Sequence, residues 1–236
     1  LAMVTQPVGG KTGDVLSTTP QVEVVDLYGN RVTSSTATVT AALSTSTAGD
    51  VVSGTTVNAV SGLASFTALN VRTIPGVRQL AFASSGLTGI TSGDFTITHA
   101  DASQLVITTA PVGGNATGDR LTTQPVIEIR DRFNNLATSA TSTVTVAISS
   151  GVGGSLAASQ TPGETSVAAV GGIATFTNVR LVGTPGTNYV LGFSSTGLTG
   201  TTATALSVTN STAYQLAIGT QPVADKTAVA FPTQPV

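Results

Sequence analysis

The chain repeats itself. Gln104-Leu105-Val106-Ile107-Thr108-Thr109-Ala110-Pro111-Val112 returns as Gln215-Leu216-Ala217-Ile218-Gly219-Thr220-Gln221-Pro222-Val223, and a third version opens the sequence as Leu1-Ala2-Met3-Val4-Thr5-Gln6-Pro7-Val8. Leu105 and Leu216 lie 111 residues apart. An internal period of this kind fixes the architecture before any local reading, because each copy must build the same unit. The 236 residues accommodate two domains of roughly 100 residues, a common domain size. The repeat therefore predicts one module over 1–100, a second over 104–210, and a stretch, 215–236, that copies the opening strands of the module. Two strands cannot bury an apolar face by themselves. The expectation for 215–236 is a third module that continues, or a strand that docks on another copy.

Within each module the apolar residues recur with a period of two. Val22 and Val24 flank Glu23, and Ile127 and Ile129 flank Glu128. Such alternation describes a strand with one face in the core. Ala37, Val39, Ala41 and Leu43 repeat the pattern, as do Ser142, Val144, Val146 and Ile148. Gly62–Phe66 and Gly172–Phe176 read as a further strand. Gln79–Ala83 with Phe95–Thr98, and Val190–Ser194 with Leu206–Thr209, close the modules. Gly86–Gly89 and Gly197–Gly200 read as the connections inside those closing pairs. Helix is disfavoured throughout by glycine, threonine and β-branched residues. The expected fold is all-β: tandem immunoglobulin-like Greek-key β-sandwiches of about seven strands each. Cys and Trp are absent, so the core is aliphatic with phenylalanines Phe66, Phe82, Phe95, Phe176 and Phe193. The linkers, 100–103 and 211–214, are short and restrict bending. Each module should advance the axis by roughly 35–45 Å.

Composition narrows the function. Charged residues make up 8% and the net charge is −2, which argues against a nucleic-acid binder, where a basic stripe is needed, and against a polybasic membrane-surface protein. No apolar run reaches the length of a membrane-spanning helix. Apolar residues make up 40%, unlike a disordered chain. The Ser, Thr, Gly and Ala richness, with lysine only at Lys11 and Lys226, is that of bacterial secreted and surface proteins, and the chain reads as a processed or excerpted piece of a longer one.

The turn Val24-Val25-Asp26-Leu27-Tyr28-Gly29-Asn30 is echoed by Ile129-Arg130-Asp131-Arg132-Phe133-Asn134-Asn135. With the later strands Gly62–Phe66 and Gly172–Phe176, this resembles the bacterial immunoglobulin-like repeats of invasin- and intimin-type surface proteins. The resemblance spans nearly the whole chain on short motifs. It implies an extracellular stalk, adhesin or fibre. Asn134 stands where the first module has Gly29, and Asn also tolerates the left-handed turn conformation.

Few residues offer chemistry. Asp26 and Asp131 read as turn residues that accept backbone N–H groups. A calcium site needs six to eight oxygens, and Asp14, Glu23, Asp26 and Asp50 are dispersed in sequence. His99, the one histidine, lacks a sequence-apparent nucleophile and orienting partner, and its counterpart is Asn210. A Lys–Asn isopeptide through Lys11 has no counterpart in the second module. Asn115-Ala116-Thr117 and Asn210-Ser211-Thr212 are sequons, so Asn115 and Asn210 are candidate glycan acceptors, and the threonine-rich loops are candidates for O-linked sugars. No catalytic residue, cofactor or metal is expected. The reading is a non-enzymatic component of an extracellular bacterial filament, pilus-like fibre or adhesin stalk that self-associates with further copies or adjacent repeats. The alternatives are a surface module that binds glycan or protein, for which Tyr28, Tyr189 and Tyr214 are the tyrosines available, and an accessory stalk of a large secreted enzyme.

Overall fold

The computed structural model describes residues 1–113, 116–156, 164–213 and 215–220, and every described element is β-structure or connection. The first repeat supplies β1 (Ala2–Thr5), β2 (Gln21–Glu23), β3 (Thr38–Leu43), β4 (Val51–Ser53), β5 (Thr56–Asn58), β6 (Leu63–Ser65), β7 (Asn70–Arg72), β8 (Gly76–Arg78), β9 (Leu80–Ser84), β10 (Leu87–Thr91) and β11 (Phe95–Ile97). The second supplies β12 (Ala102–Thr109), β13 (Val126–Asp131), β14 (Thr143–Ser150), β15 (Ser166–Ala168), β16 (Ile173–Thr175), β17 (Val190–Ser194) and β18 (Thr201–Thr202).

Each repeat forms two sheets. In the first, one sheet runs β1-β2-β6 and the other β10-β9-β3-β5, with the short pairs β11-β8 and β4-β7 beside them. In the second, the sheets run β12-β13-β16 and β15-β14-β17-β18. The chain crosses from one sheet to the other between β2 and β3, returns between β5 and β6 and crosses again between β6 and β9, so neighbours within a sheet are distant in sequence. That is the Greek-key wiring of an immunoglobulin-like sandwich.

The period of two decides what is buried. Along β3, Val39, Ala41 and Leu43 are buried while the residues between them face solvent. Val144 and Val146 do the same in β14. The cores are separate. Val22, Phe66, Leu80 and Phe82 belong to one apolar cluster, and Ile127, Phe176, Leu191 and Phe193 to another. One aromatic pair bridges the sheets of each sandwich: Phe66 meets Phe82 at 5.3 Å between centroids, and Phe176 meets Phe193 at 5.9 Å, both in tilted geometries that the ring quadrupoles favour.

A second device is repeated as faithfully. Thr12 Oγ1 donates to the Thr73 carbonyl at 2.7 Å and accepts the Thr73 N–H at 2.9 Å. Thr117 makes the same two bonds with Gly183, at 3.0 and 2.9 Å. Beside it the chain pairs in parallel with the closing strand, Lys11 with Thr98 and Ala116 with Thr209. The opening segment of the first repeat thus begins on the β1-β2-β6 sheet and ends beside the closing strand β11, which pairs with β8.

Two sequence expectations need correction. Gly86–Gly89 and Gly197–Gly200 are not loops throughout. Gly86 and Gly197, at φ +74° and +77°, make the turns. The residues after Gly86 continue as β10, because Leu87 and Ile90 pack on the core, as Leu198 does in the second repeat. The closing hairpin is consequently longer than expected and interrupted, with β9 pairing β10 and β8 pairing β11. Tyr189, counted among the aromatics available to a ligand, is fully buried. Its hydroxyl accepts the Thr184 N–H at 2.8 Å, and a Cβ on Gly183 would stand 2.5 Å from its ring.

Candidate functional site at the junction of the sandwiches

The Asp turn is built alike in both repeats. Asp26 Oδ1 accepts the N–H groups of Tyr28 and Asn30, each at 2.9 Å, and Asp26 Oδ2 accepts Asn30 Nδ2 at 3.1 Å. Asp131 Oδ1 accepts from Phe133 at 2.8 Å and Asn135 at 2.9 Å, and Asn135 Nδ2 donates to Oδ2 at 3.0 Å. The turn needs one left-handed residue, supplied by Gly29 at φ +83° and by Asn134 at +68°. The Asn30 amide and side chain hold the Asp26 carboxyl below its ordinary range.

The two turns differ in surroundings. Asp26 is exposed, whereas Asp131 is fully buried. Asp131 Oδ2 also accepts the N–H of Ala100, at 2.8 Å, from the linker that leaves the first sandwich. Gln104 Nε2 donates to the Asp131 carbonyl at 3.2 Å. Burial alone would push the Asp131 carboxyl up. The hydrogen bonds from Asn135, Ala100 and Phe133 outweigh it, and the group titrates below its ordinary value. β12 begins at Ala102, directly after this bond, so little free linker remains.

Further contacts surround the turn. The Phe133 ring lies so close to Gly13 that a Cβ there would stand 2.6 Å from it. The guanidinium groups of Arg132 and Arg72 lie 4.7 and 5.7 Å from the centre of that ring. Arg132 also pairs with Asp14 at 3.1 Å. On the other side, His99 Nε2 accepts the Ser139 N–H at 3.3 Å and lies 3.0 Å from its hydroxyl, while Nδ1 meets the Ala100 carbonyl at 2.7 Å. A proton on Nδ1 satisfies both ends of the ring. Nε2 thus faces both the main-chain amide and the hydroxyl of Ser139, and the pair braces the two modules.

The other candidates fall elsewhere. Lys11 Nζ meets Asp101 Oδ1 at 2.5 Å in an exposed ion pair. The pair raises the Lys11 pKa and lowers that of Asp101. Attack on an asparagine carboxamide requires a neutral amine, and the ion pair favours the charged one. Asn210 is exposed in a connection with Ser211 and Thr212, while Asn115, Tyr214 and 221–236 lie outside the described residues. Among the described residues no three His, Cys, Asp or Glu side chains cluster as metal ligands would. No described helix is long and apolar enough to cross a membrane.

Sequence reasoning singled out Asp131, Asn134, Asn135 and the junction segment Ala100–Gln104, but missed Gly13 and Arg72 and gave Phe133 no role beyond the turn. The available signal was the change from Leu27-Tyr28 to Arg132-Phe133 inside an otherwise repeated turn.

No family model matches the chain, and comparison with curated proteins gives no match. Among solved structures, the chain is similar to the D0-D1 domain of Intimin, at 12% identity and a TM-score of 0.32, over 89% of this chain and 100% of that one. It is similar to surface layer protein SbsC, domains 1-6, at 14% identity and a TM-score of 0.34, over 93% of this chain and 29% of that one. A beta-glycosidase from Bacteroides vulgatus is similar at 12% identity and a TM-score of 0.34, over 87% of this chain. The chain spans 24% of that glycosidase's length.

Proposed function

We propose that this chain is a structural spacer: tandem immunoglobulin-like modules of an extracellular bacterial filament, pilus-like fibre or adhesin stalk, without catalysis of its own. The observation that carries the reading is the junction, where Asp131 accepts the Ala100 amide and Phe133 seats on Gly13. A linker bonded on both sides transmits orientation from one sandwich to the next, which a projecting or load-bearing rod requires and a flexible tether does not supply. The burial of Tyr189 leaves Tyr28 as the exposed aromatic among the described tyrosines, which is little for a glycan-binding face.

Electron microscopy of the native surface material tests the reading. Filaments or projecting rods with an axial repeat of one or two modules support it. A compact catalytic body carrying this segment as an appendage would replace it with the accessory-stalk reading, and isolated rods ending in a ligand-bound tip with the adhesin reading.

A further inference from the structure

Two surfaces outside the junction, the Asp26 turn of the first sandwich and the Gly118 end of the second, carry altered versions of it. The repeat maps Asp131, Arg132 and Phe133 onto Asp26, Leu27 and Tyr28 at one, and Gly13, Ala48 and Arg72 onto Gly118, Val152 and Val182 at the other. The correspondence is structural as well. Thr12 grips Thr73 as Thr117 grips Gly183, the pairing of Val51 with Arg72 returns as Ser155 with Val182, and Gly13 and Gly118 share φ values of +81° and +89°.

At the internal junction, arginine comes from both sides: Arg132 from the second sandwich and Arg72 from the first flank the Phe133 ring. At these two surfaces both arginines are replaced by aliphatic residues, Leu27 and Val182, and Ala48, which lines the junction cavity with Arg72, Arg132 and Phe133, is enlarged to Val152. The exchange is matched, because an arginine on one side alone would be desolvated against an aliphatic partner. Leu27, Tyr28 and Val152 are 94%, 86% and 88% exposed. Single exposed apolar residues are common, but these occupy the positions that meet the neighbouring module inside the chain.

Resting on the spacer reading, we infer that the Leu27–Tyr28 turn of one copy docks on the surface formed by Gly118, Val152 and Val182 of a second copy. Tyr28 takes the place of Phe133, its ring seated on Gly118 as Phe133 is on Gly13. The contact uses different surfaces on the two partners, so it is heterologous and propagates head to tail.

Sedimentation equilibrium on the whole chain tests this with Tyr28→Glu, Val152→Glu, Val182→Arg and an equimolar mixture of the first two. The wild type forms concentration-dependent multimers. Each glutamate variant stays monomeric with an unchanged thermal midpoint, since both side chains are exposed. The mixture stops at dimers, because one intact surface remains on each partner. Val182→Arg weakens association, because its guanidinium then faces the aliphatic Leu27 with no matching arginine. A wild type that is monomeric at all concentrations, or multimers indifferent to both glutamates, overturns the docking surface. Either result leaves the spacer reading to the microscopy of native material, which fails or succeeds independently.

Discussion

Asp131 Oδ2 accepts the main-chain N–H of Ala100 at 2.8 Å, so a buried side chain of the second sandwich completes the hydrogen bonding of the linker that leaves the first. The same carboxylate closes its own turn through Phe133 and Asn135. One residue therefore couples the local fold of one module to the position of its neighbour. Asp131→Ala leaves several buried donors without an acceptor and should cost the second module about 1–3 kcal/mol in urea unfolding. Asp26→Ala, at the exposed copy of the turn, should have a smaller effect, and the first module's unfolding midpoint measures it.

The pH dependence of stability follows from the same residue. The Asp131 carboxyl titrates below its ordinary value of 3.8 in the folded chain. Its contribution is therefore fully present above that value and is lost as pH falls through the lower folded pKa, because the unfolded chain binds the proton more tightly. Urea midpoints of the second module measured from pH 6 down to acid should fall below about pH 4. Asp131→Asn should flatten that part of the slope, and an unchanged slope would assign it to other carboxylates.

The separate cores predict separate unfolding. Phe66→Ala should remove about 3–5 kcal/mol from the first sandwich and leave the second near its own midpoint. Phe176→Ala should do the reverse. Calorimetry reads this as one transition moving while the other stays.

The threonine clip should be sensitive to loss of its hydroxyl. Thr12→Val keeps the volume but leaves the Thr73 N–H and carbonyl without the partner they have at 2.9 and 2.7 Å. The expected cost is about 1–3 kcal/mol, with a similar direction for Thr117→Val. Thermal midpoints of the two variants check it.

Much of the fold is legible in the sequence because its cause is local. Val22, Val24, Ile127 and Ile129 alternate with glutamate, and all four are buried. The strand after Gly86 was hidden because Leu87-Thr88-Gly89 has turn-like composition, and only the core contacts of Leu87 and Ile90 make it a strand. Tyr189 was hidden for a related reason: its pocket is made by Gly183, Gly151 and Gly154, whose missing side chains leave no pattern along the chain. The Asp turn announces itself through short-range bonding. Its use as a clamp does not, because Gly13 and Phe133 are brought together only when the two sandwiches stack.

The central claim is that the junction fixes the orientation of one sandwich relative to the other. Residual dipolar couplings of the whole chain test it most directly. A single alignment tensor should fit both modules in the wild type, and Asp131→Ala together with Phe133→Ala should split it into two. Two independent tensors in the wild type would mean a freely jointed pair and would contradict the account.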